Sequence, residues 1–140
     1  MTMTGLDTNV LARYYIEDKK DAESERQRAA ARHLIDSGKP LMVCKTVILE
    51  LEWVMRGYYG FTNTEVVSVL RHLLALPHVS IEDRDTVELA LSHCDAGLEL
   101  ADALHHASYR ECNSMASFDD RKFARRARKL GLMPNVVVPT

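Results

Sequence analysis

Two aspartates stand directly behind short apolar segments: Asp7 follows Thr2–Leu6 in MTMTGLDTNVLARYY, and Asp119 follows Met115–Phe118. If both segments are strands of a parallel sheet, both carboxylates emerge at strand carboxyl ends, the rim where open α/β sheets bind ligands. Each is then either a helix cap or part of a site, and Asp7 alone does not decide between the two. Two further acids fall in helical stretches. On a wheel of about 100° per residue, a helix from Thr46 to Tyr58 has Val47, Leu51, Val54 and Tyr58 as its apolar stripe. Glu50 lies between Trp53 and Val54, where a carboxylate is costly unless it is paired, bound to metal, or reaching outward to water. Glu52 lies beside its i+4 partner Arg56, as a solvated ion pair would. Asp102, in GLELADALHHASYR, is opposite the stripe Leu100, Ala101, Leu104 and Ala107 and shares its face with His105, His106 and Tyr109. That face meets either water or a cleft.

A dense cationic run, DDRKFARRARKLG, follows the last of these acids. Arg121, Arg125 and Arg128 recur at i, i+4 and i+7, with Phe123, Ala127 and Leu130 on the other side. One reading is an electrostatic track for a nucleic-acid backbone close to Asp119. The other is a solvated face whose cations suit a helix C-terminus. His93–Cys94, His105–His106 and Cys112 show no zinc-ligand spacing. Trp53, Tyr58 and Tyr59 read as core and partner surface.

The elements that must position these groups alternate. Strands are expected at Thr2–Leu6, Leu41–Cys44, Val79–Ile81, Met115–Phe118 and Val136–Val138, with helices between them. The first helix is Asn9–Tyr15. Asp21–Ser37 is rich in Ala, Glu and Arg and stops at Gly38 and Pro40. Thr46 caps the helix that runs to Tyr58. Thr62-x-x-Glu65 and Asp85-x-x-Glu88 have capping-box form and open helices to Leu76 and Cys94. Helices over Leu98–Cys112 and Asp120–Leu130 complete the set. Helices between all strands leave little room for hairpins, so the expected fold is α/β: one domain over residues 1–140, with a mostly parallel central sheet flanked by helices on both faces.

Whole-chain properties agree. The 140 residues, 46% hydrophobic and 27% charged, suit one globular domain and exclude disorder. A formal charge of −2 makes any nucleic-acid surface local. Three cysteines without a CxxC pair read as small buried hydrophobes in a reducing compartment. No apolar run reaches the roughly 20 residues a membrane span needs, and no signal segment is evident, so a cytoplasmic protein is expected.

GLDTNVLARYY, VILELEWVMR, LADALHHAS and SFDDRKFAR, in this order and spacing, resemble the PIN-domain ribonucleases, most closely the VapC-type toxins of prokaryotic toxin–antitoxin pairs. The resemblance spans nearly the whole chain. It implies an acidic cluster of Asp7, Glu50, Asp102 and Asp119, with Thr8, Asn9 and Ser117 as supporting polar residues. The sequence departs from the pattern in two places. Asp120 doubles the last acid, where it also suits a helix cap, and His105 and His106 replace small or apolar residues.

Such a cluster implies a divalent cation, Mg²⁺ or Mn²⁺, because converging carboxylates raise one another's pKa and hard cations prefer oxygen ligands. The resemblance further implies an RNA substrate, a homodimer and a cognate antitoxin whose C-terminal segment covers the cleft. Alternatives within the fold are a catalytically quiet module binding RNA or protein, a non-toxin RNA-processing enzyme, and a DNA-directed nuclease. A phosphoacceptor receiver domain is disfavoured: it needs an acid pair after the first strand, and this chain has Asp7 alone.

Overall fold

Short β-branched or apolar triplets form the strands, and capped, alanine- or leucine-rich segments form the helices between them. The computed structural model describes residues 2–18 and 20–140. Its strands are β1 (Thr4–Gly5), β2 (Leu41–Val43), β3 (Val79–Ile81), β4 (Ser114–Ala116) and β5 (Asn135–Val137). Its α-helices are α1 (Thr8–Tyr15), α2 (Ala22–Asp36), α3 (Lys45–Trp53), α4 (Asn63–Ala75), α5 (Arg84–Asp95), α6 (Leu100–Ser108) and α7 (Phe123–Lys129). Every strand pairing observed is parallel: β1 with β2, β2 with β3, and β4 with β5. The expected α/β alternation is therefore the architecture.

The chain divides into two compact units, one ending at Arg84 and one running from Asp85 to Thr140. In the first, β1-β2-β3 form a sheet in register Thr4↔Leu41 and Leu41↔Val79. Leu41 and Val43 point inward while Met42 between them is exposed, the two-residue period of a strand with one covered face. Helix α1 packs on α2 and α3, and α4 packs on β3. Leu11, Ile35, Ile48, Leu51, Met55, Leu70 and Leu73 are fully buried, each such side chain contributing about 1.5–3 kcal/mol by leaving water. In the second unit α7 packs on β5, which pairs with β4, and Val87, Leu91, Ala103, Ala107 and Ala124 are buried.

Local signals set several boundaries. Asp21 caps α2 by accepting from Ser24 N at 2.8 Å, and Gly38 follows its end at φ +78°, a left-handed conformation suited to glycine. Thr62 and Glu65 form the expected capping box on α4. At Asp85 the expectation fails. Helix α5 already starts at Arg84, so Asp85 lies inside its first turn. At α3 the cap is Cys44 rather than Thr46.

The stripe on α3 also differs from the wheel. Its buried residues are Ile48, Leu51 and Glu52, continued by Met55, rather than Val47, Leu51, Val54 and Tyr58. The segment is apolar on almost every side, so periodicity alone does not choose a face. Beyond Trp53 the chain forms a π-helical turn, Val54–Tyr58, with Tyr59 N donating to Val54 O. Each residue of such a turn rotates the chain less than in an α-helix, which moves Tyr58 off the stripe. Tyr58 is 73% and Trp53 60% exposed, so neither belongs to the core. Among the cysteines Cys94 is buried, Cys44 is half-buried and Cys112 is exposed, and all are free thiols. The buried-hydrophobe reading therefore holds for Cys94 alone.

Candidate functional site

In the first unit, Asp7 is the N-cap of α1, its Oδ1 accepting from Thr8 N at 2.7 Å. One oxygen thus serves the helix start, and the residue as a whole remains exposed. Thr8 is buried, and its hydroxyl donates to Glu50 Oε1. Asp7, Thr8 and Glu50 are in this way linked from the β1–α1 junction to α3. Glu50 is exposed, whereas Glu52 is the buried glutamate of that helix, at 7% exposure. Arg56 Nε donates to Glu52 at 2.6 Å, which compensates its desolvation. The contrast expected between the two glutamates is thus inverted in burial, although Glu50 is the one tied to Thr8.

Asn9 is exposed and lines a groove of about 590 Å³ between α1 and α2, with Arg13, Gln27 and Tyr59. The acid of that groove, Asp18, accepts from Tyr59 at 2.8 Å and pairs with Arg13 and Arg28 at 3.4 and 3.5 Å. This groove is larger than the cleft described next but holds no free acid chemistry.

In the second unit, Asp102 and Asp119 line one cleft of about 300 Å³ together with Glu99, Lys122 and Arg126. Asp102 stands in the first turn of α6, where the helix dipole favours a carboxylate. It is half-buried, and its carboxyl has no hydrogen-bond or ion-pair partner among the described residues. Burial pushes its pKa up. The charges of Glu99 and Asp119 add to the rise, and His105 opposes them. Asp119 is held at the β4–α7 connection: its main-chain N donates to Ser117 Oγ at 3.1 Å, and its Oδ1 accepts from Lys122 N at 3.1 Å. Ser117 thus acts as a positioning group for Asp119.

Asp120 turns elsewhere and pairs with Arg128. It does not cap α7, which begins at Phe123. Of the two adjacent aspartates, Asp119 is the one in the cleft.

The expected arginine row is broken. Arg121 precedes α7, Arg125 is exposed, and Arg128 is committed to Asp120 and to the Ala124 carbonyl, which its Nε reaches at 3.1 Å. The helix expected from Asp120 starts at Phe123, three residues later, so Arg121 does not occupy a helical face. Lys122, Arg126 and Glu99, which line the cleft, were not singled out. The i, i+4 spacing of Lys122 and Arg126 was visible, but nothing marked that face as the one beside Asp119.

His106 is also misplaced by the wheel. It is fully buried, and its Nε2 meets the Pro134 carbonyl at 2.7 Å, so Nε2 carries the proton. Phe123 packs edge-on to its ring. His106 therefore ties α6 to the segment before β5 and does not share the open face of Asp102.

No three His, Cys, Asp or Glu side chains among the described residues are grouped so as to hold a metal ion as they stand. The donor chemistry nevertheless fits a hard divalent cation. The cleft offers carboxylate oxygens, and Asp102 is a crowded, partly desolvated carboxyl that a cation would relieve.

In the second unit Asp102 and Asp119 thus stand beside Lys122 and Arg126, two cations with no ion pair among the described residues. The PIN domain model matches residues 5–129, and the chain belongs to the PIN domain family. PIN domains are generally nucleases that use divalent metals, and the α/β fold seen here is PIN-like. A comparison with curated proteins finds no match. Among the described residues no helix is long and apolar enough to cross a membrane.

Proposed function

We propose that the chain is a metal-dependent endoribonuclease of VapC type, the toxin of a toxin–antitoxin pair acting in the cytoplasm. The observation that carries the reading is Asp102: a half-buried carboxyl with no partner among the described residues, lining one cleft with Glu99 and Asp119, in a chain that matches the PIN family over residues 5–129. A carboxylate kept in that state is a cost to the fold unless a cation uses it.

Asp7, Glu50, Asp102 and Asp119 would hold Mg²⁺ or Mn²⁺. The bound ion would supply an activated water and neutralise charge on the phosphate under attack. Thr8 orients Glu50 through its hydroxyl, Ser117 fixes the chain at Asp119, and Asn9 is assigned a supporting role as the residue after that pair. A homodimer and inhibition by a small antitoxin protein belong to the same proposal, as the VapC resemblance implies.

The test is incubation of the purified protein with mixed cellular RNA, with Mg²⁺ or Mn²⁺ against chelator. Cleavage that needs the ion and disappears in Asp7→Asn is expected. Full cleavage in chelator, or by Asp7→Asn, would overturn the assignment.

A further inference from the structure

The acid cleft of the second unit contains two cations that its acids do not neutralise. Lys122 and Arg126 line the same wall as Asp102 and Asp119, yet neither forms an ion pair among the described residues. Lys122 is the N-cap of α7 and Arg126 lies in the middle of that helix, its main-chain N donating to the Lys122 carbonyl at 3.0 Å, and both line the same cleft. Each is fixed by the backbone around the cleft. The Lys122 main-chain N donates to Asp119 Oδ1, and Arg126 Nη1 donates to the Gly97 carbonyl in the loop before α6. The remaining guanidinium donors of Arg126 and the ammonium of Lys122 have no acceptor among the described residues. Lys122 and Arg126 are exposed like their neighbours Arg121 and Arg125, but those two do not line the cleft, and Arg128 is taken by Asp120.

We infer that Lys122 and Arg126 grip the phosphodiester backbone of the RNA strand at the Asp102–Asp119 cleft, and that the Arg121–Arg125–Arg128 row does not. This rests on the nuclease reading above and adds to it the residues that hold the substrate. Arg126 offers a planar pair of donors suited to phosphate oxygens, and Lys122 a point charge. A phosphate held by these cations would face the carboxylates of Asp102 and Asp119, which could hold a metal ion on its other side.

The experiment measures binding of a short fluorescein-labelled single-stranded oligoribonucleotide to the full chain by anisotropy, in chelator, over a potassium chloride series. Lys122→Gln/Arg126→Gln removes both charges while leaving an N–H at position 126 for the Gly97 carbonyl. It is expected to weaken binding about tenfold and to lower the salt slope by about 0.7–1.4, the value for one or two single-strand phosphate contacts. Arg126→Lys, which keeps the charge, should restore most of the affinity lost at that position. Arg121→Gln/Arg125→Gln should bind within about twofold of wild type.

Unchanged affinity and slope in Lys122→Gln/Arg126→Gln, a larger loss in Arg121→Gln/Arg125→Gln, or no RNA binding by the wild type would each overturn the inference. Cleavage by the wild type with Mg²⁺ is followed in parallel. Cleavage present with unchanged binding in Lys122→Gln/Arg126→Gln sinks this inference alone. Binding lost in that variant while the wild type never cleaves sinks the nuclease reading and leaves the phosphate grip standing.

Discussion

The acids of the first unit are satisfied by their own chain, whereas the central acid of the second is not. Asp7 caps α1 and Glu50 accepts from Thr8, so the fold itself has a use for both carboxylates. Asp102 is half-buried, has no donor among the described residues, and titrates high because of burial and the charges of Glu99 and Asp119. Residues that serve both fold and function resemble ordinary caps and give little away. A residue that serves function at the expense of the fold shows up as an unmet electrostatic demand.

The sharpest way to break this contrast is Asp102→Asn. Removing the carboxylate should lower RNA cleavage by more than the roughly 100-fold typical of losing a hydrogen-bond partner of a metal ligand. It should also raise the melting temperature of the metal-free protein at neutral pH. The sign follows from linkage: a carboxyl with a raised folded-state pKa destabilises the fold only while it is ionised. The gap between wild type and variant should therefore close as pH falls below the ordinary value of 3.8 and open as pH rises through the raised one. A thermal melt of both proteins across pH checks it, and a variant less stable than wild type at pH 7 would show that Asp102 is structural.

A smaller effect is expected at Thr8. Thr8→Val keeps the shape and removes the donor to Glu50, so cleavage should fall about tenfold, in the range for such supporting hydrogen bonds. Activity equal to wild type in a turnover assay would make the Thr8–Glu50 contact incidental. The smallest effect on function belongs to Thr62. Its capping box with Glu65 has the same threonine–glutamate chemistry but serves only α4. Thr62→Ala should cost about 1 kcal/mol in denaturant unfolding and leave cleavage unchanged.

How much of this was legible depended on whether local chemistry decided the outcome. The five strands, the parallel pairing and the Thr62–Glu65 cap follow from short apolar runs, intervening helices and a local hydrogen-bond motif, and all are present. The face of α3 was not legible. VILELEWVM is apolar nearly all round, and burial of Glu52 depends on Arg56 closing over it. The rotation at Val54–Tyr58 needs a π-helical turn that no periodicity announces. His106 read as polar because a histidine's partner, here the Pro134 carbonyl 28 residues away, is invisible in the sequence. Adjacent aspartates look alike in sequence, and what separates Asp119 from Asp120 is Arg128, which takes Asp120. Lys122 and Arg126 are two of six cations in DDRKFARRARKLG, and nothing in that run marks which of them line the cleft beside Asp119.

The most direct test of the proposal that Asp7, Glu50, Asp102 and Asp119 hold a divalent ion is Mn²⁺ titration calorimetry at neutral pH on the wild type, Asp7→Asn and Asp102→Asn. The account predicts that the wild type binds Mn²⁺ and that each variant loses at least about tenfold in affinity. Wild-type affinity retained by either variant, or no binding by the wild type, would contradict it.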